Sequence, residues 1–352
     1  MSRLTQCADL HVGKSRNLPT YLERQSLMLD AIYQVAEDHG DKFVVIVGDI
    51  YDRLVLTPKE KDLFLNKIAW ADNNGFTTVM ESGNHDCIDE SENGYSHLRT
   101  IKNLITHNCL KNTYVVESKP DWLHLPKFGV CFLCWPAAYG KSEIVNQTIR
   151  DLSVQARSKI KDPNTKYIAL IHECVTGSSN DSGFAFKGVV LDQDLPVDVI
   201  LLGDIHKKQK IPGVHAWYCG SPIQHDFGDE GGKGVLVWDL DNLKKPTFHS
   251  LADFVPELVT IQVADDQSVE SLDIPENAYV RIEASREKIA EMSELLPANV
   301  VKTHISIQEK DINMKTVSVD DKFGGLSDIL QEMGLKEDGV SFCMTLVNRL
   351  QG

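Results

Sequence analysis

Apolar positions follow two alternating periods along the first 240 residues. Aliphatic and β-branched runs within residues 3–11, 42–49, 77–86, 167–173 and 196–206 have the length and content of buried strands. Between them, residues 21–40, 58–75 and 143–160 repeat their apolar positions at the spacing of a helix with one buried face. Gly40 closes the first of these and predicts its stop. Two shorter strands are expected at 215–221 and 234–240. Strands alternating with helices predict an α/β fold.

From about residue 251 the pattern changes. Strand-like runs at 256–263, 278–284 and 300–307, with a helical segment at 286–298, predict a small α+β domain over residues 255–312. A polar, glycine-containing stretch at 317–325 then leads into apolar spacings at 325–335 and 339–350, so 313–352 reads as a helical C-terminal appendage. Residues 1–250 form the main domain on this reading.

Five strand ends in the main domain carry short polar clusters: Asp9-Leu10-His11, Gly48-Asp49-Ile50-Tyr51-Asp52, Gly83-Asn84-His85-Asp86, His172-Glu173 and Gly203-Asp204-Ile205-His206. Ligands of open α/β sheets collect at the carboxyl ends of strands, so clusters distant in sequence meet in one crevice. Any one of them alone reads as a turn or a solvated loop tip, since Gly, Asn and Asp favour turns. Five of them, each ending a strand, predict a site. Carboxylates, imidazoles and an amide oxygen without cysteine suit Mn²⁺, Fe²⁺ or Zn²⁺. Two such ions need a shared carboxylate, for which Asp49 is the candidate. The glycines at 48, 83 and 203 permit tight turns directly after the strands.

Composition narrows the class. A formal net charge of −15 argues against binding nucleic acid by global attraction. The excess is concentrated late, since residues 251–352 hold 19 Asp+Glu against 9 Lys+Arg. A nucleic-acid substrate therefore requires a local basic path, for which Lys14, Arg16, Lys207, Lys208 and Lys210 are the candidates. A solvated charge run is the plainer reading of each. No apolar run is long enough to span a membrane, and no secretion signal is visible, so the expectation is a cytoplasmic protein. Cys131 and Cys134 lie three apart on an expected strand, facing opposite ways, and read as structural thiols rather than a zinc site. Residues 8–15 end in Gly13-Lys14-Ser15 but lack the first glycine of a phosphate-binding loop.

The ordered clusters resemble the calcineurin-like metallophosphoesterase superfamily, whose signature runs D-x-H, G-D-x-x-D, G-N-H-[DE], H, then G-H-x-H. With residues 8–14 and Gly220-Ser221-Pro222-Ile223-Gln224-His225-Asp226-Phe227-Gly228, the chain is most similar within it to the SbcD-type nucleases of DNA repair and recombination. The resemblance covers about the first 240 residues. It implies a β-sandwich flanked by helices with a smaller capping domain, and a phosphodiesterase centre of two divalent ions, Mn²⁺ foremost, with Mg²⁺, Fe²⁺ or Zn²⁺ as alternatives. Asp9, His11, Asp49 and His206 would hold one ion, and Asp49, Asn84, His172 and Asp204 the other. Asp204 departs from the signature, which places histidine there, and would exchange imidazole for a harder oxygen donor. His85 would be the general acid, Asp86 its orienting partner or a loop residue, and Asp52 a modulator near the site. The resemblance further implies a DNA substrate and a homodimer within a heterotetramer, with an SbcC-type coiled-coil ATPase docked on the C-terminal element. A stand-alone phosphoesterase on a small or protein substrate is the competing reading, because the chemistry alone does not select a substrate.

Overall fold

In the computed structural model of the chain, residues 2–18, 20–89, 95–137 and 142–305 are described. The expected appendage at 313–352, and the end of the expected small domain, lie outside them.

The first half of the chain lays down β1 (Arg3–Cys7), α1 (Tyr21–Asp38), β2 (Phe43–Val47), α2 (Pro58–Asn73) and β3 (Thr77–Glu81). A short antiparallel pair, β4 (Cys87–Asp89) with β5 (Tyr95–Ser96), precedes α3 (Arg99–Thr106) and β6 (Thr113–Val116). Next come β7 (Asp121–Leu125), β8 (Val130–Trp135), α4 (Val145–Lys159), β9 (Lys166–His172) and β10 (Val199–Gly203). The main domain closes with β11 (Gln209–Lys210), β12 (Ala216–Tyr218), β13 (Gly234–Asp239) and β14 (Thr247–Ser250). Then follow β15 (Glu257–Gln262), β16 (Ala278–Ala284), α5 (Arg286–Met292) and β17 (Val300–Ile305).

These strands form two six-stranded sheets, ordered β14-β13-β1-β2-β3-β6 and β11-β12-β10-β9-β8-β7. Period-2 alternation assigns their faces. Phe43, Val45 and Val47 of β2 pack with Phe132, Cys134, Ile168, Leu170 and Leu201 of the other sheet, filling the space between the sheets. Val44 and Ile46 face the opposite way, onto Met28, Ile32, Phe64 and Ile68 of α1 and α2. On the second sheet, Cys131, Leu133 and Trp135 turn outward onto Val145, Ile149 and Ala156 of α4. Cys131 and Cys134 therefore sit in separate cores, both as free thiols. The result is a helix-covered β-sandwich, an α/β fold.

Two boundaries follow directly from local chemistry. Pro58 stands at the start of α2, where a missing N–H costs nothing, and Thr57 and Glu60 form a reciprocal capping box there. Helix α1 stops at Asp38, and Gly40 takes the left-handed φ of 87° that ends it.

The last three strands form a separate parallel sheet, β15-β16-β17, with its own small core around Val280, Ile282, Ala284 and Met292. Side chains of the main domain hold it. Gln224 exchanges two hydrogen bonds with the backbone of Leu258, at 2.8 and 3.0 Å, and Arg24 donates to the carbonyls of Pro256 and Gln224. Helix α5 ends at Met292, short of the expected 298. Pro297 disfavours helical backbone at the residue before it, and Leu295 has no surface to cover, remaining 60% exposed.

Candidate metal centre

Strands β1, β2 and β3 are parallel in one sheet, and β9, β10 and β12 in the other, so their carboxyl ends open on one crevice. Asp9 and His11 leave β1, Asp49 leaves β2, and Asn84 and His85 leave β3. His172 is the last residue of β9, and Asp204 and His206 follow β10. The loops after β1 and β2 are laced together: Asp9 N–H donates to Gly48 O, His11 N–H to Asp49 O, and Val12 N–H to Ile50 O.

The backbone is forced at this point. Asp9, His11, Asp49 and Asp204 all adopt positive φ, at 55°, 45°, 50° and 99°. Non-glycine residues seldom do so, and such strain persists only where surrounding structure over-determines it. The glycines permit the approach that produces it. A Cβ on Gly48 would lie 2.1 Å from His172 Nδ1, one on Gly83 2.1 Å from Asp49 Oδ1, and one on Gly203 2.0 Å from Val47 O.

The side chains converge as metal ligands would. His11 Nε2 and His206 Nε2 are 3.1 Å apart. Two nitrogens each about 2.1 Å from one ion, at right angles, stand about 3 Å apart. His172 Nδ1–H donates to the Val47 carbonyl at 2.8 Å, so Nε2 is the nitrogen facing Asn84 Oδ1 at 3.1 Å and Asp49 Oδ1 at 3.3 Å. Asp49 Oδ2 lies 3.6 Å from His11 Nε2. Its two oxygens thus face two separate ligand groups. Asp9 Oδ1 accepts the Asp204 backbone N–H at 3.0 Å, while its Oδ2 is buried without a hydrogen-bond partner, an orphan that a cation would satisfy. These donors fit divalent ions.

Charge in the crevice points the same way. Burial pushes the Asp9 carboxyl up to about 8, and Asp49 and Asp204 beside it add to the rise against the pull of His172. Burial also raises Asp204. For Asp49 burial is outweighed by His172, His11 and His85, which hold its carboxylate below the usual range. For His172 burial is outweighed by Asp49, Asp9 and Asp204, which hold its imidazole well above the usual range. His206, desolvated and beside His11, drops to about 3 and stays neutral. A pocket in which the Asp9 carboxyl retains a proton and one imidazole is kept charged has surplus negative charge for a cation to relieve.

The remaining expected residues separate into those at the crevice and those elsewhere. His85 is there: its Nδ1–H donates to the Asp52 carbonyl at 2.7 Å, and its ring stands edge-on to His11 with centroids 4.8 Å apart. The Asp52 carboxylate lies 3.5 Å from His11 Nδ1 and is bonded by Arg53. Lys14 Nζ reaches the same carboxylate at 3.5 Å. Asp204 and His206 also line a pocket of about 370 Å³ beside the other ligands, together with Lys207, Ile205, Phe186 and Asp226.

Other expected contacts lie elsewhere. Asp86 does not orient His85. Its carboxylate accepts the backbone N–H groups of Ile50, Tyr51 and Gly83 at 2.9–3.2 Å, which ties the β2 and β3 loops together. Arg16 is paired with Glu60 by two bonds of 2.6 and 2.7 Å. Lys208 lies over the Phe248 ring, 3.4 Å from its centroid, and Lys210 of β11 lies over Trp217.

One residue to which the sequence assigns no role joins the cluster. His225 is buried among His11, His206 and Asp9. It follows β12 in a loop and belongs to no short ligand pattern, so only its place in the Gly220–Gly228 stretch gives any signal.

Comparison with known proteins agrees with this geometry. Residues 2–208 match the calcineurin-like phosphoesterase family. The chain is 25% identical to the SbcD component of the SbcCD nuclease of Bacillus subtilis, with 91% of each protein covered. It is 23% identical to the same component of the Escherichia coli K12 nuclease, covering 88% of this chain and 86% of that one. An uncharacterized protein of Acanthamoeba polyphaga mimivirus is 26% identical over 88% of this chain, which spans only 22% of the viral protein's length.

Proposed function

The chain belongs to the calcineurin-like phosphoesterase family, and from that premise we infer that it is a two-metal phosphodiesterase acting on DNA. The observation that carries the two-metal reading is the Asp49 carboxylate, with one oxygen toward His172 and the other toward His11. Asp9, His11, Asp49 and His206 would hold one ion, and Asp49, Asn84, His172 and Asp204 the other. Bound divalent ions would neutralise the phosphate oxygens, acidify the attacking water and stabilise the leaving oxygen.

The chain's own groups do the rest. His85 commits Nδ1–H to the Asp52 carbonyl, so that in the imidazolium form Nε2–H is the proton delivered to the departing oxygen. Asp86 fixes the loop on which His85 stands by bonding three backbone amides at once. Asp52 faces the ring of His11 and presents its own carbonyl to His85, so it would position both.

The DNA reading draws on the curated relatives, whose names make them parts of a nuclease, and on coverage of nearly the whole length of the Bacillus protein. By that likeness the chain would work as a dimer with an SbcC-type coiled-coil ATPase, in recombination and repair. Lys207, in the pocket with Asp204 and His206 and 3.8 Å from Glu230, and Lys14 beside Asp52 are the candidate phosphate contacts. The test is Mn²⁺-dependent degradation of an end-labelled linear duplex by wild type and His85→Ala, with and without the candidate ATPase. Degradation lost in the variant supports the reading. Turnover of bis-p-nitrophenyl phosphate without DNA cleavage in either setting would instead select a small-substrate phosphoesterase.

A further inference from the structure

His225 is held from four directions. Its Nε2–H donates to the carbonyl of Asp9 at 2.9 Å, the residue whose backbone is forced into positive φ. Its backbone N–H donates to Asp229 Oδ2 at 2.7 Å, and its carbonyl accepts the Ser15 hydroxyl. The preceding residue, Gln224, is fastened to Leu258 of the small sheet. The ring has little freedom to swing.

Its neighbours are the two imidazoles assigned to one ion. The His225 ring stands 4.9 Å from that of His11, at 86°, and 5.0 Å from that of His206, at 69°. His11 and His206 are themselves 5.0 Å apart. The three rings thus form a nearly equilateral triangle, each edge-on to the others. A ring in this place limits how far His11 and His206 can rotate, and its N–H holds the peptide that carries the Asp9 carboxylate.

Resting on the two-metal reading above, we propose that His225 is a positioning residue for the ion held by Asp9, His11 and His206, acting through the Asp9 carbonyl and the two ring faces rather than by ligation. Its Nε2–H is engaged by that carbonyl, so any ligation would have to come from Nδ1, which the NMR measurement below reads directly. Supporting partners of this kind typically change metal affinity by about 10–100-fold when removed.

The test is calorimetric titration of the metal-free full chain with Mn²⁺, comparing wild type, His225→Phe and His225→Gln. Phenylalanine keeps the ring and removes the N–H; glutamine returns an N–H donor near the position of Nε2. The expected result is one of two binding steps weakened about 10–100-fold in His225→Phe, the other unchanged, and most of the loss recovered in His225→Gln. Wild-type affinity in His225→Phe would overturn the proposal, as would a His225→Gln variant no better than His225→Phe. A second measurement needs no variant: side-chain ¹⁵N NMR of the Zn²⁺-loaded wild type should show His225 as a neutral ring protonated at Nε2 without the shift of a metal-bound nitrogen. A metal-bound shift at His225 would overturn it. A single binding step in the wild type would contradict the two-metal reading itself, whereas two steps with wild-type affinity in His225→Phe would overturn only this proposal.

Discussion

The backbone amide of Asp204 donates to Oδ1 of Asp9 across 3.0 Å, joining the carboxyl ends of β10 and β1 from opposite sheets. The bond uses one oxygen of Asp9 and leaves the other buried and unpartnered. It depends on a φ of 99° at Asp204, a conformation that aspartate and asparagine tolerate better than most residues. Asp204 therefore has two separable parts, a backbone amide that orients Asp9 and a carboxylate in the crevice.

Asp204→Asn separates them, since asparagine keeps the backbone conformation and removes the charge. The variant should retain its fold and need about tenfold more Mn²⁺ for half-maximal activity, with its maximal rate largely preserved. Mn²⁺ titration of bis-p-nitrophenyl phosphate hydrolysis reads this. An unchanged Mn²⁺ requirement would remove the Asp204 carboxylate from the metal centre.

His85→Gln should reduce turnover about 10²–10⁴-fold on DNA, where the leaving alkoxide needs a proton. The loss should be much smaller on bis-p-nitrophenyl phosphate, whose phenolate leaves unaided. Metal affinity should hold. Equal losses on both substrates would assign His85 to a role other than proton delivery.

Gly83→Ala should disrupt the centre through sterics alone. The added methyl would meet Asp49 Oδ1 at 2.1 Å and the Asp49 backbone nitrogen at 2.3 Å. Overpacking of this kind costs about 1–3 kcal/mol, and here the group displaced is the shared carboxylate. Chemical denaturation should show that loss, with Mn²⁺ uptake reduced in parallel. Wild-type metal uptake would mean that Asp49 has room the structure does not show.

Stability of the metal-free chain should fall as pH rises above neutrality. Burial raises Asp9 to about 8 and Asp86 to about 7, the latter with help from Asp49, and the carboxylates hold His172 well above its usual range. A group raised in the folded state gives its full stabilisation below its unfolded pKa and loses it as pH climbs through the folded value. His11, His206 and His225 shift downward, which favours folding as pH rises toward their unfolded value of about 6.5, but they add nothing further above it. Between about pH 7 and 8.5 the raised groups alone decide the sign. Thermal unfolding in chelator should give a lower Tm at the upper end of that window, and the gain from added Mn²⁺ should be larger there, because the metal takes the place of the protons. A chelated Tm that rises across the window would contradict this charge assignment.

The ligand clusters are legible in the sequence because each follows directly on a strand. Residues one or two positions beyond β1, β2 and β10 cannot stray far, so local sequence already implies the shared crevice. The helix-covered α/β sandwich follows from the same periodicity. Less legible is anything that depends on which way a loop turns. Lys208 and Lys210 read as a basic run after His206, yet they pack on Phe248 and Trp217, aromatic partners some 40 and 7 positions away in sequence. Arg16 looks free in the sequence because Glu60, its partner, sits 44 residues on, at the start of α2. His225 reaches Asp9 across 216 residues, by way of a loop whose course is set by Arg24 and by Leu258 of the small sheet. Edge strands β6 and β7 escape a reading by periodicity because their half-buried patterns lack the continuous apolar run of the central strands.

A two-metal centre stands or falls on whether Asp49 joins two ions. Electron paramagnetic resonance of the chain loaded with two equivalents of Mn²⁺ tests this directly. Ions about 3.5–4 Å apart across one carboxylate should give the multiline signal of an exchange-coupled pair, and Asp49→Asn should reduce it to the six-line signal of an isolated ion. A wild-type spectrum of isolated Mn²⁺ alone, at any loading, would contradict a bridging Asp49.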